Sequence, residues 1–239
     1  MLGKKVFKDI QSLSLKKHRE ETGMFIAEGP KVVEELLQII PMQIEAVYAT
    51  AEWQPKTITV NNFIEVSDAD LARLSQQKTA NRVVAVVKQF ASKTPPGNGF
   101  TLYLDAVQDP GNFGTIIRIA DWFGVANIVC SRGCADLYNA KVVQSTMASI
   151  ARVNVFYDEE ETWLKEQKQP VYAAALEGKP LYTYAKVDDG VLIIGNESKG
   201  IREEFLALAT DRITIERRGE AESLNAAVAT GILLSHLIP

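Results

Sequence analysis

The chain has 239 residues, 46% hydrophobic and 23% charged, with a net charge of −4, which suits an ordinary globular protein with one good core or two modest ones. No apolar run approaches the roughly 18 residues that cross a bilayer, and the N-terminus MLGKKVFKDIQSL lacks an apolar signal core, so a soluble, cytoplasmic protein is expected. Cys130 and Cys134 have no second Cys or His pair near them to complete a metal tetrahedron, and His18 and His236 are isolated, so the reading is two reduced thiols and no metal.

A basic helix is predicted near 3–20. Residues 1–20 carry six bases (Lys4, Lys5, Lys8, Lys16, Lys17, Arg19) against two acids (Asp9, Glu20), a segment of +4 on a remainder of −8. A basic arm on an acidic body is compatible with RNA, although a solvated helix face is the plainer reading. The strand-like MFIAE (24–28) follows, then Gly29-Pro30 introduces a helix to about residue 40 with Val32, Val33, Leu36, Leu37 and Ile40 as its apolar stripe. Strands are expected at 44–50, 57–60 and 83–87, and a short helix at 68–75 capped by Ser67 or Asp68. QFASKTPPGNG (89–99) reads as a linker between a small α/β domain (1–88) and a second domain (100–239).

In the second domain strands near 101–105, 127–131, 152–156, 171–175, 191–194 and 212–215 alternate with helices near 112–124, 139–149, 158–168, 201–209 and 223–237. This alternation, with almost continuously apolar strands, predicts an α/β fold with a parallel sheet and helices on both faces.

Three segments there join a strand to a Gly-marked loop and a helix: DAVQDPGNFGTIIRIADWFG (105–124), IIGNESKGI (193–201) and ERRGEAESLNAAVATG (216–231). Each places polar groups at the carboxyl edge of the sheet, where open α/β sheets bind ligands. In the first, Asp109-Pro110-Gly111-Asn112 suits a type II turn with Asn112 capping the helix. Ile116, Ile119, Ala120 and Phe123 mark the buried stripe of that helix, and Arg118, about 200° round from Ile116, points away from the core. In the second, Gly195 follows a buried strand, where a missing side chain lets a ligand approach the backbone; Asn196, Glu197 and Ser198 crowd the tip. In the third, Ser223 is expected to cap a helix whose first turn holds Leu224 and Asn225. Every one of these has a structural reading as a cap, a turn residue or an exposed helix Arg, but no turn requires a carboxylate at the mouth of a parallel sheet. The glycine-rich dinucleotide and phosphate loops are absent, as is a Ser, His and acid set.

DPGNFGTIIRIADWFG, IIGNESKG and ESLNAAVATGILL resemble the three motifs of the SpoU (TrmH) family of RNA methyltransferases, in the SPOUT superfamily, over roughly residues 100–239. SLKKHREETGMFIAEGPKVVEELL is similar to the ribosomal-protein-like RNA-binding domain that often precedes that unit. The resemblance implies a C-terminal deep trefoil knot, an exception to unknotted topology, and methyl transfer from S-adenosylmethionine to a ribose 2′-hydroxyl of rRNA or tRNA. It also implies a homodimer, with the first-motif and C-terminal helices in the interface and each site drawing on both subunits. Carried over by position, Arg118 engages the attacking hydroxyl, with Asn112, Glu197, Ser223 and Asn225 around it. The cofactor is implied at Leu176, Gly195, Asn196, Gly200, Ile215 and Leu224, largely through main-chain groups, and RNA at Lys4, Lys5, Lys16, Lys17 and Arg19.

Because a guanidinium is a poor base, the role read for Arg118 is to stabilise alkoxide charge or to act with an RNA phosphate that takes the proton, oriented by Ser223 and Asn225. The chain departs from the usual pattern at Ala148, where many relatives have Gly, at Glu216-Arg217, where many have Pro-Met beside the cofactor, and at Ala80-Asn81-Arg82, where Pro-Gln-Gly is common. A non-catalytic RNA-binding protein on the same fold stays open as an alternative, as does an enzyme using another nucleotide. The RNA and the nucleotide are not legible, since specificity lies in surface shape.

Overall fold

The computed structural model describes residues 2–56, 62–77 and 79–239, and the strand expected at 57–60 lies outside them. The chain forms two compact units, one from Met1–Ala91 with Asp136–Ala151, the other from Ser92–Ala135 with Arg152–Pro239.

In the first unit β1 (Met24–Glu28), β2 (Ile44–Ala49), β3 (Phe63–Glu65) and β4 (Val83–Lys88) form a sheet of order β1-β4-β2-β3. β4 is antiparallel to β1 and β2, and β2–β3 is parallel. The helix α3 (Pro30–Ile39) opens on Pro30, whose missing N–H costs nothing in a first turn, and buries Val32, Val33, Leu36 and Leu37. Gly29 before it has φ 94°, a value glycine adopts without strain. The helix α4 (Asp68–Leu74) is capped by Ser67, which accepts the Asp70 N–H.

The basic helix expected over 3–20 is two helices, α1 (Lys4–Ser12) and α2 (Lys16–Thr22). The serines explain the break: Ser12 Oγ donates to Asp9 O at 2.6 Å and Ser14 Oγ to Gln11 O at 2.8 Å, diverting carbonyls that a continuing helix would use. Arg19 is buried, and its guanidinium donates to the Leu13 and Ser14 carbonyls and pairs with Asp136. That corrects the expectation that it faces RNA: its donors close the turn between the two helices. The helix α6 (Ala140–Thr146), expected over 139–149, stops early because Met147 and Ala148 take the left-handed region at φ 48° and 73°. A left-handed alanine such as Ala148 costs about 1–2 kcal/mol.

The second unit is a six-stranded sheet of order β10-β8-β9-β5-β6-β7, parallel throughout. Its strands are β5 (Phe100–Leu104), β6 (Asn127–Cys130), β7 (Asn154–Tyr157), β8 (Val171–Pro180), β9 (Gly190–Ile194) and β10 (Asp211–Thr214), and its helices α5 (Pro110–Trp122), α7 (Glu203–Leu206) and α8 (Ala226–Leu237). Tyr103, Leu102, Leu104, Ile193 and Phe205 are fully buried in its core, each of the four apolar side chains contributing about 1.5–3 kcal/mol.

Four expectations are corrected here. The helix expected at 158–168 is a single 3-10 turn, Trp163–Glu166; Asp158 caps it by accepting the Thr162 and Trp163 N–H groups, and Glu161 sits at φ 54°. The helix expected at 201–209 is one turn, α7. β8 runs past the expected 171–175 because residues 174–178 loop out between the pairs Ala173–Arg212 and Lys179–Ile213. The buried stripe of α5 is also shifted, formed by Phe113, Gly114, Ile116, Ile117 and Ala120, with Phe123 just beyond the helix and only half-buried.

Candidate active site

β5 lies between β9 and β6. From β5 the chain leads through α5 to β6, on one side; from β9 it leads through α7 to β10, on the other. The carboxyl ends of β5 and β9 therefore part, making a topological switch point of the kind where open α/β sheets bind ligands. The first two segments start there, and the third arrives through α8, which packs on α5.

Asp109, not Asn112, caps α5: its carboxylate accepts the Asn112 N–H at 2.8 Å. Pro110-Gly111 is thus the first helical turn, not a type II turn. Asn225, not Ser223, caps α8, its Oδ1 accepting the N–H groups of Ala227 at 3.0 Å and Val228 at 3.2 Å. These two corrections decide the site. With Asp109 as the cap, the Asn112 side chain reaches outward, donating from Nδ2 to Glu197 Oε1 at 2.9 Å and accepting Asn225 Nδ2 on Oδ1 at 2.8 Å. The α8 amides leave Asn225 only its Nδ2 to offer, so Asn112 must present Oδ1 to it and Nδ2 to Glu197. One hydrogen-bonded chain, with its direction set by a helix terminus, joins all three segments.

Glu197 is carried by a tight loop. Asn196 and Gly200 bond each other across it at 3.0 and 2.9 Å, and Asn196 Oδ1 accepts the N–H groups of Ser198 and Lys199. Asn196 Nδ2 donates to Ala106 O at 2.8 Å. Gly200 closes the turn at φ 70°, which glycine adopts without strain, and a Cβ on Gly195 would stand 2.5 Å from the Gly200 carbonyl carbon, so Gly195 leaves no room for a side chain.

Leu176, at 76% exposure, sits on the looped-out part of β8, with its carbonyl accepting Thr214 Oγ1 at 3.0 Å. Leu224 is 48% exposed. The main-chain groups of Gly195, Ile215 and Leu224 make no hydrogen bond to another described residue. The side chains of Ser223 and Arg118 are exposed, with no hydrogen bond or ion pair to another described residue. Six residues along the helix from Asn112, Arg118 lies about 9 Å further on and about 120° round, on the outward face with Thr115 and Trp122. Within one chain it does not join the Glu197–Asn112–Asn225 series. Lys4, Lys5, Lys16 and Lys17 are all exposed, the last two in long i,i+4 pairs with Glu20 and Glu21 that count for little.

The sequence reading missed an ion cluster beside the same loop. Asp105, 1% exposed at the end of β5, accepts the Arg202 backbone N–H on Oδ2 and the Arg202 Nε–H on Oδ1, both at 2.8 Å. Arg202 also forks onto Glu161 at 2.7 and 3.1 Å, which holds the Glu161 carboxyl below the usual carboxylate range. The available signal was a charge set directly after the apolar run FTLYL.

A family model described as the SpoU rRNA Methylase family matches residues 99–235 of this chain. The chain belongs to the SpoU rRNA methylase family. A second model, an MRM3-like substrate binding domain, matches residues 4–85. This SpoU protein is 32% identical to the 23S rRNA (guanosine(2553)-2′-O)-methyltransferase RlmP of Bacillus subtilis, over 96% of this chain and 94% of that protein. Its fold matches that of a TrmH-family protein from Porphyromonas gingivalis with a TM-score of 0.87 and 37% identity, covering 98% of this chain and 97% of the other. It also matches an AdoMet-bound rRNA methyltransferase from Sinorhizobium meliloti, with a TM-score of 0.84 and 32% identity over 98% and 94%.

Proposed function

We propose that this protein transfers a methyl group from S-adenosylmethionine to a ribose 2′-hydroxyl of RNA, with large-subunit ribosomal RNA as substrate. The observation that carries the reading is the convergence of Glu197, Asn112 and Asn225 into one hydrogen-bonded series at the switch point between β5 and β9. Relatives spanning nearly the whole chain are named as 23S rRNA or rRNA methyltransferases, which favours turnover over the non-catalytic binder.

The residues present fit the cofactor. Exposed Leu176 and Leu224 offer apolar contact to a flat purine, and the uncommitted main-chain groups of Gly195, Ile215 and Leu224 offer its edges donors and acceptors. Asn196 and Gly200 shape the loop alongside. When bound, S-adenosylmethionine supplies an electrophilic methyl on sulfur. The protein's part is to align the ribose oxygen with it and to stabilise the charge left as the hydroxyl proton departs.

In this reading the enzyme is a homodimer that pairs through α5 and α8, and Arg118 serves the site of the partner, with Ser223 beside it. The outward face there exposes two large apolar side chains, Trp122 at 83% and Val228 at 51%, beside Arg118. A knotted C-terminus belongs to the same reading: α8 returns from the sheet-edge strand β10 to the central α5, and Leu237 O accepts the Val187 N–H ahead of β9. A first domain of residues 1–88 grips RNA with Lys4, Lys5, Lys16 and Lys17, and a linker follows at 89–99. No described helix is long and apolar enough to cross a membrane, and a cytoplasmic location goes with an RNA substrate.

The test is Arg118→Ala. S-adenosylmethionine binding, followed by calorimetry, should be kept while methyl transfer falls on the order of 100-fold or more. Undiminished transfer would remove Arg118 from the chemistry.

A further inference from the structure

The loop that carries Glu197 is secured at both ends to one point of the sheet. Asp105 continues the β5–β9 register, its N–H donating to Ile194 O at 2.8 Å. The next residue, Ala106, sits at φ 52° and turns its carbonyl onto Asn196 Nδ2, which fixes the start of the loop. The Asp105 carboxylate takes the N–H and Nε–H of Arg202, which fixes the end, and Ser131 Oγ donates to the same carboxylate at 3.1 Å. Beyond Asp105 the guanidinium lies 4.4 Å over the Phe205 ring and forks onto Glu161. Glu161 itself is at φ 54°. Left-handed backbone at a non-glycine residue is strained and persists only where its surroundings hold it; here two such residues flank one ion cluster. A charge as buried as Asp105 is kept only with partners of good geometry, and all its side-chain partners serve this loop or the strand beside it.

We propose that Asp105 and Arg202, backed by Glu161, are positioning residues for Glu197: they clamp the returning limb of the 195–202 loop so that the carboxylate stays on Asn112. The proposal rests on the methyltransferase reading. Its test uses the full-length enzyme, tritiated S-adenosylmethionine and ribosomal RNA from cells lacking the protein. Arg202→Ala should melt as a folded protein and lose about 10- to 100-fold in kcat, the scale of a small misplacement of a reacting group, with KM for the cofactor within about twofold. Arg202→Lys keeps the charge but not the planar fork, and should fall between it and the native enzyme. The deciding measurement is Glu197→Ala combined with Arg202→Ala: if the clamp acts through Glu197, the double variant is no slower than Glu197→Ala alone. Multiplying losses, an unaffected Glu197→Ala, or native kcat in Arg202→Ala overturns the clamp while leaving methyl transfer by the native enzyme intact. No transfer by the native enzyme overturns the functional reading, and the clamp with it.

Discussion

Asn225 does two jobs with two different atoms. Its Oδ1 caps α8 and its Nδ2 holds Asn112, so the jobs separate by substitution. In Asn225→Asp the cap acceptor survives, and a carboxylate at a helix N-terminus gains about 0.3–1 kcal/mol, but no donor remains for Asn112 Oδ1. The melting temperature should hold or rise slightly, while methyl transfer falls at least about tenfold. A variant as active as the native protein would mean that the direction of the asparagine series is irrelevant to turnover. Sequence alone placed these side chains in the right loops and assigned the wrong caps, since Asp109 and Asn112, or Ser223 and Asn225, are equally able to cap.

At the scale of elements, the loop after β9 depends on backbone approach more than on side chains. Gly195→Ala would push a Cβ into the Gly200 carbonyl carbon, a backbone atom that cannot swing aside, and overpacking of this kind costs about 1–3 kcal/mol. It should lower the melting temperature and abolish cofactor binding by calorimetry, whereas Gly219→Ala, with nothing within 4 Å of the added atom, should do neither. Strands were legible because their apolar runs are local and continuous. The helices expected at 158–168 and 201–209 were not, because Asp158 caps a single turn and Glu161 leaves the helical region to meet Arg202, a partner no local window contains.

At the scale of the whole molecule, the proposed pairing accounts for the exposed Trp122 of α5 and Val228 of α8, and for an Arg118 that stands apart from Asn112. Trp122→Glu would place a charge at the centre of that face. Light scattering should then give the mass of a single chain in place of a dimer, with turnover lost in parallel if Arg118 serves the partner's site. An unchanged mass would sink the pairing through this face.

Sequence by itself determined the parallel α/β sheet, since alternating apolar strands and helices are written locally, and it determined the family, since three short strings stand in a set order. Only the tertiary structure decided that Arg19 is buried, that Asp109 and Asn225 are the caps, and that Asp105 meets Arg202. Arg19 and Asp105 are buried and must meet partners far along the chain, since burial makes an unpartnered charge too costly to keep, while the caps go with an Asn112 side chain that meets Glu197 and Asn225 in the other two segments.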